Sequence, residues 1–331
     1  MRAMILCAGL GTRLQPLSGL CAKPAMPVMG LPVVGYLLRL LQRHGVSEVL
    51  LNLHYLPHTI ERAVARFAPP GMEIRYSREP ALLGTGGGIR AAADFLRESD
   101  PSLVLAGDML LDADLGELVR RHRARADRVT LLLRRDPRAA RFGTVGLDAE
   151  LSVRQIGSRF DVSGATDQGL FTSSRLFASR AFDSLPERDC FEDLMDWFAP
   201  LIAQGARDIR GELLDDSSCI WEPVGTPAEY LGVNLLPPRL SYLEPEEVAT
   251  LTGTLRENDV VLGAGARLAK GAQLRRAVVW EGETVPPSVR ASDGVFAGGE
   301  FHPCGGGDPA GVELHSESAD ATPEGRVDHS G

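Results

Sequence analysis

The sequence predicts an α/β protein built on a mixed, mostly parallel sheet with helices on both faces. Three observations favour this class: short apolar runs alternate with segments of helical spacing, the runs read as buried strands, and polar or glycine-rich loops follow several of them. Parallel strands need a crossover connection, and crossover helices cover both faces of the sheet. The predicted architecture is therefore Rossmann-like.

The first 108 residues supply the alternation. Strands are predicted at 3–8, 47–55, 72–77 and 102–108, and helices at 33–45, 58–68 and 87–99. Ligands of such sheets bind beyond the carboxyl ends of the strands. Gly9 to Arg13, Gly84 to Gly88 and Asp108 all fall at such ends, so we expect them to meet in one crevice.

From about residue 128 the pattern becomes strand-rich. Strands are predicted at 129–135, 142–148, 151–157, 169–174 and 217–221, with a helix at 190–205. A further helix begins at Thr226, because Thr226 and Glu229 form a capping box with Pro227 at the first helical position. This strand-rich region continues the same domain.

The C-terminal region has a different composition. Proline-rich residues 235–247 resemble a linker, and glycine turns alternate with single apolar residues at roughly six-residue steps over 260–301. That period predicts a short β-helix-like segment. The division is a large domain at 1–236, a linker at 237–256, a β-helix-like domain at 257–304 and a tail at 305–331. The tail has few core-forming residues and is predicted to be disordered.

Composition excludes several classes of protein. A net charge of −9 disfavours nucleic-acid binding, and the arginine cluster at 119–128 reads as a solvated helix face. No apolar run approaches the roughly 20 residues that span a bilayer, so no membrane partner is expected. The N-terminus lacks the pattern of a signal peptide. Five scattered cysteines indicate reduced thiols and a cytoplasmic location.

The opening loop, "LCAGLGTRLQPLSGLCAKPAMPV" at residues 6–28, carries the clearest chemical signal. It contains no GxxxxGK[ST] phosphate loop, and Leu14 stands where a dinucleotide fingerprint needs its third glycine. What remains is a loop whose glycines allow backbone to approach phosphate, followed by the cations Arg13 and Lys23. A nucleoside triphosphate fits that arrangement. A glycine-rich turn with a surface arginine and lysine is the structural alternative.

The motif "AGLGTRLQPLSGLCAKPAMPVMGLPVVGYLL" resembles the signature of the sugar-1-phosphate nucleotidyltransferases. The resemblance continues through "LLGTGGGIRAAADFL", "LVLAGDMLLDADLGELVRRH", "RFGTVGLD" and "IWEPVGTPAEYLGVN", and so covers about residues 1–236. The form of these motifs is most similar to the mannose-1-phosphate guanylyltransferase and N-acetylmuramate-1-phosphate uridylyltransferase branch. Some family members append a left-handed β-helix, which the glycine-punctuated C-terminal region resembles.

The resemblance implies a reaction and a set of site residues. A sugar 1-phosphate oxygen attacks the α-phosphorus of an NTP in line and releases pyrophosphate, which requires positioning and charge neutralisation. By motif, Arg13, Lys23 and Asp108 are the catalytic set, and Asp108 also binds Mg²⁺. The nucleotide contacts implied are Leu10, Gly11, Thr12, Gly84, Thr85, Gly86 and Gly87. The sugar contacts implied are Gly143, Asp167 and Gly169.

The sequence also departs from the family pattern. Pro223 stands where the family has the aspartate of its second metal site, and a proline cannot bind a cation. Glu222 is adjacent, but neighbouring side chains of an extended segment point to opposite faces. Asp215 or Asp216 are the other acidic residues nearby. Gly157 and Ser158 stand where many relatives carry part of a glutamate-lysine-proline triplet.

Two functions follow from these observations. The first is an active enzyme that makes an NDP-sugar and pyrophosphate from an NTP, with GTP or UTP favoured, and a hexose 1-phosphate. The alternative is a degenerate homologue that binds nucleotide or NDP-sugar and regulates a partner, as Pro223 suggests. A nicotinamide-dependent dehydrogenase is disfavoured because its fingerprint fails. Relatives often use a β-helix for association, which leaves a homo-oligomer open.

Overall fold

The computed structural model describes residues 1–305. Apart from Gly305, the predicted disordered tail at 305–331 lies outside the described residues. Within them, the large domain is built on one mixed sheet with helices packed against it, as the sequence predicts. No helix among the described residues is both long and apolar enough to cross a membrane.

Parallel strands form one half of the central sheet. Their spatial order is Ser102–Ala106, Arg2–Leu6, Glu48–Leu53 and Glu73–Arg78. All four were predicted from the sequence, and all four present their carboxyl ends at the same edge. This edge is the expected position of the ligand crevice.

The first strand shows why helices cover both faces of the sheet. Its side chains alternate, so Ala3 and Ile5 pack with the helices Val33–Arg43 and Pro57–Phe67. Met4 points the other way and packs with residues of the helices Gly84–Ala91 and Ala93–Arg97. The three buried residues of this strand, Ala3, Met4 and Ile5, are all apolar, as burial on both faces of the sheet requires.

The other half of the sheet is antiparallel, so the expectation of a mostly parallel sheet is wrong for this half. The long strand Asp167–Phe177 pairs antiparallel with three neighbours, which are Ser102–Ala106, Val129–Arg134 and Thr144–Leu147. Beyond them lie Val153–Ile156 and Phe160–Asp161, also antiparallel, and Ile209–Leu214, parallel to Val129–Arg134. The physical reason is the scarcity of crossover helices between residues 129 and 177, because strands joined by short turns pair antiparallel.

The remaining elements of the large domain flank this sheet. Two strands, Met109–Ala113 and Cys219–Pro223, form an antiparallel pair beside the crevice, and Pro27–Val28 pairs with Leu31–Pro32. The predicted helix at 190–205 begins later, as a π-helical turn at Asp193–Phe198 followed by Ala199–Ala203. The other helices are Leu17–Leu20, Leu115–Arg125, Ala139–Phe142 and Pro227–Leu235, with 3₁₀ turns at Thr12–Leu14, Lys23–Ala25 and Ser179–Ser184.

Residues after 254 form stacked parallel coils. Val260–Leu262, Gln273–Val279 and Arg290–Ala297 pair in parallel, and Arg267–Leu268 pairs in parallel with Thr284–Val285. Val260 pairs with Ala277 and Ala277 with Gly294, so partners in successive coils lie 17 positions apart. The short strands Leu255–Glu257 and Glu300–Pro303 close the two edges in antiparallel fashion.

Part of the segment that was predicted as a linker is a helix. Pro245–Thr252 begins with a capping box in which the Glu244 carboxylate accepts from Glu247 N–H and the Glu247 carboxylate accepts from Glu244 N–H. Val248 and Thr252 on this helix are buried. Apolar residues of the coils, such as Val261 and Val295, share one core with Leu14 and Leu17 of the opening loop.

Candidate active site

The opening loop is held by its own buried residues. Gly11 has φ +65°, a left-handed conformation that glycine adopts without strain. Its carbonyl accepts hydrogen bonds from Ser18 Oγ at 2.8 Å and Leu14 N at 2.9 Å. Leu14 and Leu17 are fully buried. The loop therefore presents the exposed Thr12 and Arg13 from a fixed backbone.

A cavity of about 580 Å³ opens at the carboxyl ends of the parallel strands, where the sequence placed the crevice. Seven of the predicted site residues line it together: Gly11, Thr12, Arg13, Lys23, Gly84, Thr85 and Asp108. These residues come from three separate loops of the chain. The fold thus brings the predicted catalytic set and four of the seven predicted nucleotide residues into one place.

Lys23 and Asp108 form an ion pair in this cavity. Lys23 Nζ lies 2.6 Å from Asp108 Oδ2, and their side chains are 11% and 41% exposed. Asp108 is positioned by its neighbours, because Gly107 N donates to Leu6 O at 2.9 Å and Val224 N donates to Asp108 O at 2.8 Å. The carboxylate is accessible to solvent on one side, where a ligand could share it.

Three predicted nucleotide residues do not line the cavity. Leu10 is exposed on the surface of the loop. Gly86 and Gly87 are buried against residues 189–193: a Cβ on Gly86 would lie 2.3 Å from the Phe191 ring, and one on Gly87 would lie 2.1 Å from Asp189 O. Their N–H groups donate to the Phe191 carbonyl at 2.9 and 3.2 Å. These two glycines are thus needed for close packing of the chain on itself.

The predicted sugar residues are not brought together. Gly143 lines a separate cavity of about 610 Å³ with residues such as Gly157, Ser158 and Phe171. Asp167 pairs with Arg135, whose Nη1 donates to Asp167 Oδ1 at 3.0 Å, and this hydrogen bond lowers the pKa of the Asp167 carboxyl. Gly169 is buried, and a Cβ there would lie 2.4 Å from Leu213. The structure therefore gives Asp167 and Gly169 structural partners within the chain.

The region of Pro223 offers no obvious second metal ligand. Glu222 Oε2 accepts from Arg138 Nη1 at 2.9 Å, and Arg138 also donates to the Trp221 carbonyl at 3.0 Å. Asp215 Oδ1 lies 3.4 Å from Arg135 Nε, and neither Asp215 nor Asp216 lines the cavity that holds Lys23 and Asp108. Residues 1–305 contain no group of three or more His, Cys, Asp or Glu side chains that could hold a metal ion. A cation here would need oxygen ligands from a substrate.

The strand order and the shared cavity define a fold and a candidate site, and comparison with known proteins establishes the family. The family model described as "Nucleotidyl transferase" matches residues 2–236. A mannose-1-phosphate guanylyltransferase of Mycobacterium tuberculosis is 33% identical over 297 residues, which cover 86% of this chain and 80% of that protein. The chain belongs to the nucleotidyl transferase family. The resemblance inferred from the sequence is confirmed.

Further relatives extend this family assignment. A UTP–glucose-1-phosphate uridylyltransferase of Synechocystis is 26% identical over 340 residues, covering 90% of this chain and 87% of that protein. Among solved structures, HddC of Yersinia pseudotuberculosis, crystallised with GMP-PN, aligns with a TM-score of 0.58 and 22% identity. That alignment covers 70% of this chain and 97% of HddC, and it shows a shared fold.

Sequence reasoning missed a buried ion pair, Arg175 with Asp193, of which Arg175 lines the nucleotidyl transferase cavity. Arg175 Nε donates to Asp193 Oδ2 at 2.6 Å, and both side chains are nearly inaccessible. Thr85 Oγ1 donates to Asp193 Oδ1 at 2.7 Å, which ties the pair to the glycine-rich motif. The strand register shifts between Phe171 and Arg175. Nothing in the local sequence indicates this pairing, because the partners come from separate elements.

Two more polar residues at the cavity were missed. Glu79 and Asn52 line it, and Asn52 Nδ2 donates to Glu79 Oε1 at 2.7 Å. An asparagine within the buried run "VLLNL" was the available signal, because a buried amide needs a polar partner. Cys7 also lines the cavity, but burial and the nearby Asp108 raise the pKa of its thiol. A protonated, buried thiol is a poor nucleophile.

Proposed function

We propose that this protein transfers a nucleotidyl group from an NTP to a hexose 1-phosphate, forming an NDP-sugar and pyrophosphate. The observation that carries the proposal is the shared cavity, which Arg13, Lys23 and Asp108 line together. In it, Lys23 Nζ and Asp108 Oδ2 form an ion pair 2.6 Å apart. The names of the relatives agree, because they describe guanylyl- and uridylyltransferases acting on sugar 1-phosphates. The catalytic interpretation is therefore favoured over a regulatory one.

The chain's own residues supply binding and charge neutralisation. Arg13 neutralises the β- and γ-phosphates of the departing pyrophosphate, and Lys23 stabilises the charge that develops at the α-phosphate. Gly11 and Thr12 contact the phosphates through the backbone, and Gly84 and Thr85 contact the nucleoside. The in-line attack of the sugar phosphate oxygen then requires positioning rather than covalent catalysis.

The donor set fits Mg²⁺ held jointly by protein and substrate. Mg²⁺ is commonly bound through one or two carboxylates together with substrate phosphates. Asp108 supplies one such carboxylate, already turned toward the cavity and fixed by Lys23. When bound, the ion would neutralise phosphate charge. Pro223 leaves Asp108 as the carboxylate on which this site depends.

The sugar 1-phosphate is proposed to bind beside the nucleotide, toward the cavity that Gly143 lines. Support comes from the glycines and small side chains there, which leave room for a hexose ring. Asp167 and Gly169 would contribute to this site indirectly, by shaping the strand Asp167–Phe177, which forms one side of the region.

We further propose the domain division 1–236, 237–256 and 257–304, with the last part a left-handed β-helix-like segment. Parallel coils with partners 17 positions apart and glycine turns of positive φ support it. Such a segment can carry self-association into a homo-oligomer. Five free cysteines support action in the reducing cytoplasm.

One assay tests the function. The purified full-length protein is incubated with Mg²⁺, each of GTP, UTP, dTTP, ATP and CTP, and a panel of hexose 1-phosphates, and pyrophosphate is measured. Release with at least one pair is the expected result. Nucleotide binding without turnover across the whole panel would instead identify a regulatory binding protein.

A further inference from the structure

We propose that Asp193, held by the buried Arg175, is a positioning residue for nucleotide binding. The inference rests on the proposed function, because it concerns how the turn at Gly84 and Thr85 is held against a bound nucleotide. Arg175, Gly84 and Thr85 line the cavity, whereas Asp193 does not. Asp193 therefore acts on the nucleotide through Thr85, without touching it.

The Asp193 carboxylate joins two elements that are far apart in the chain. The residue is 2% exposed. Its Oδ2 accepts from Arg175 Nε at 2.6 Å, and its Oδ1 accepts from Thr85 Oγ1 at 2.7 Å and from Leu194 N at 2.9 Å. Burying a carboxylate is costly unless it is both paired and hydrogen-bonded, and Asp193 meets both conditions. The arrangement fixes the direction in which the Thr85 side chain points.

The Thr85 hydroxyl is fully engaged by Asp193. Its Oγ1 donates to Asp193 Oδ1 and accepts from Asp193 N at 3.2 Å. It also lies 2.8 Å from Glu192 Oε2, but a hydroxyl donates only one hydrogen. Arg175 holds Asp193 in place as the acceptor, whereas Glu192 is exposed. The hydroxyl therefore holds the turn, and the Thr85 backbone is the part left for the nucleotide.

The backbone of the turn packs on the segment that carries Asp193. Gly84 has φ +74°, and a Cβ there would lie 2.5 Å from the Phe191 carbonyl oxygen. Phe191 N donates to Leu83 O at 3.0 Å. The N–H groups of Gly84 and Thr85 lie in the first turn of a helix and donate to no backbone carbonyl of residues 1–305. Those two donors at the cavity depend on the turn for their placement.

Arg175 reaches Asp193 from an irregular part of its strand. The register of the strand Asp167–Phe177 shifts between Phe171 and Arg175. Between them, Ser173 has φ +59°, lines the cavity and accepts at its carbonyl from Arg175 Nη1 at 3.0 Å. A positive φ is uncommon for a residue with a Cβ, and such conformations cluster at functional sites. Irregularities of this kind re-aim a side chain, here that of Arg175.

A second buried aspartate with the same kinds of partner provides a matched control for Asp193. Asp127 is 1% exposed, and its Oδ2 accepts from Thr130 Oγ1 at 2.8 Å and from Arg125 Nε at 2.9 Å. Its Oδ1 accepts from Arg210. None of these four residues lines the nucleotide cavity. Asp127→Asn therefore disturbs a buried ion pair of the same kind that has no contact with the nucleotide.

The test measures KM and kcat for GTP and for UTP, with Mg²⁺ and a saturating hexose 1-phosphate, in the full-length protein. The variants are Asp193→Asn, Thr85→Val, the combination of these two, Thr85→Ser and the control Asp127→Asn. Calorimetry with Mg²⁺ measures the dissociation constants of GTP and UTP in the same proteins. Urea unfolding shows whether each variant is folded and how far its midpoint moves.

Asp193→Asn and Thr85→Val are each expected to raise KM and the dissociation constant of the nucleotide roughly 10- to 100-fold, the range of one hydrogen bond to a charged group. In Asp193→Asn the single amide oxygen faces Arg175, so the Thr85 hydroxyl meets a donor instead of an acceptor. The value of kcat is expected to stay within about threefold, because contacts made equally in the ground and transition states affect KM alone. Thr85→Ser keeps the hydroxyl and is expected to bind nucleotide as the wild type does.

The combined variant is expected to match the stronger single variant within about threefold, because both substitutions remove the same interaction. Asp127→Asn is expected to lower the urea midpoint and to leave KM within about twofold. If Asp193→Asn does not fold, the comparison of Thr85→Val with Thr85→Ser still isolates the hydroxyl that Asp193 holds.

Three results overturn the inference: an unchanged KM in the folded Asp193→Asn or Thr85→Val, effects of the two that multiply in the combined variant, or an equal rise of KM in Asp127→Asn. Absence of turnover with every NTP contradicts the proposed function instead. The dissociation constants of GTP and UTP then still decide the role of Asp193.

Discussion

Lys23 Nζ and Asp108 Oδ2 lie 2.6 Å apart although the two residues are separated by 85 positions in the chain. Lys23 belongs to the opening loop, which follows the strand Arg2–Leu6, and Asp108 lies just after the neighbouring parallel strand Ser102–Ala106, so the sheet itself brings them together. A cation and a carboxylate at this edge provide the opposite charges that phosphate and a divalent metal each need. The pair is therefore the centre of the proposed chemistry.

Replacing Asp108 by asparagine is expected to lower pyrophosphate release by roughly 10²- to 10³-fold, because a neutral amide of the same size neither pairs with Lys23 nor supplies an anionic metal ligand. Pyrophosphate release at several Mg²⁺ concentrations measures the effect. Asp112→Asn is the matched control, since Asp112 accepts from Ser241 outside the cavity. Wild-type activity in Asp108→Asn would contradict the assignment of this site.

The parallel half of the fold and the meeting of Arg13, Lys23 and Asp108 in one cavity were predictable because each depends on local patterns. Strand ends and the opening motif place Arg13, Lys23 and Asp108 correctly once the strands are known to be parallel. The reason for the glycines at 86 and 87 was not predictable. It depends on Phe191 and Asp189, which approach from about 100 residues further along the chain.

The same limitation explains the other differences. The antiparallel half of the sheet depends on which strands pair, and strand composition alone does not encode the partner. The helix Pro245–Thr252 was hidden in a proline-rich segment, although Pro245 at its first turn is a helix start signal. The Arg175–Asp193 pair joins a strand to a π-helical turn, so only the folded chain reveals it.

Glu222→Gln is expected to retain activity within about threefold of the wild type and stability within about 1 kcal/mol, because its carboxylate belongs to a partly exposed pair with Arg138. Pyrophosphate release and urea unfolding check the two values. A loss comparable to that of Asp108→Asn would show that Glu222 takes the place of the missing aspartate.

Pro223→Asp is expected to lower the Mg²⁺ concentration that gives half-maximal activity by a few-fold, because a second carboxylate next to Asp108 adds an oxygen ligand. Position 223 lies close to Asp108 in the backbone, because the N–H of the next residue, Val224, donates to the Asp108 carbonyl at 2.8 Å. A Mg²⁺ titration of activity makes the measurement, with Pro223→Asn as the uncharged control. Equal titration curves for the two variants would rule out a second metal ligand at this position.

Tyr230→Phe is expected to lower the free energy of unfolding by about 1–3 kcal/mol. The buried Tyr230 hydroxyl accepts from Trp280 Nε1 at 2.9 Å and donates to Pro27 O at 2.6 Å, so its removal takes this partner from two partly buried groups. The Tyr230 hydroxyl thus links Trp280 of the C-terminal coils to Pro27, which lies just after Lys23. Urea unfolding measures the change against Tyr76→Phe, a surface control expected to change by less than about 0.5 kcal/mol. Equal changes in the free energy of unfolding for the two substitutions would show that the Tyr230 hydrogen bonds do not stabilise the protein.

His122 is expected to make the free energy of unfolding decrease at acidic pH. Burial lowers the pKa of this histidine to about 4, with Arg125 and Arg180 acting in the same direction and Asp127 and Asp100 opposing them. Its Nδ1 lies 2.8 Å from Thr130 Oγ1. Because the unfolded chain binds a proton near pH 6.5 and the folded chain does not, the stability contributed by neutral His122 is present above pH 6.5.

That contribution is lost as the pH falls from 6.5 toward 4, by at most about 3 kcal/mol. Urea unfolding of the wild type and of His122→Gln between pH 4 and pH 8 tests this, because glutamine does not titrate and can still hydrogen-bond to Thr130. The stability difference between the two proteins should change in favour of His122→Gln on acidification. A stability difference between the two proteins that stays constant across this pH range would contradict the prediction, because it would mean that His122 titrates equally in the folded and unfolded chains.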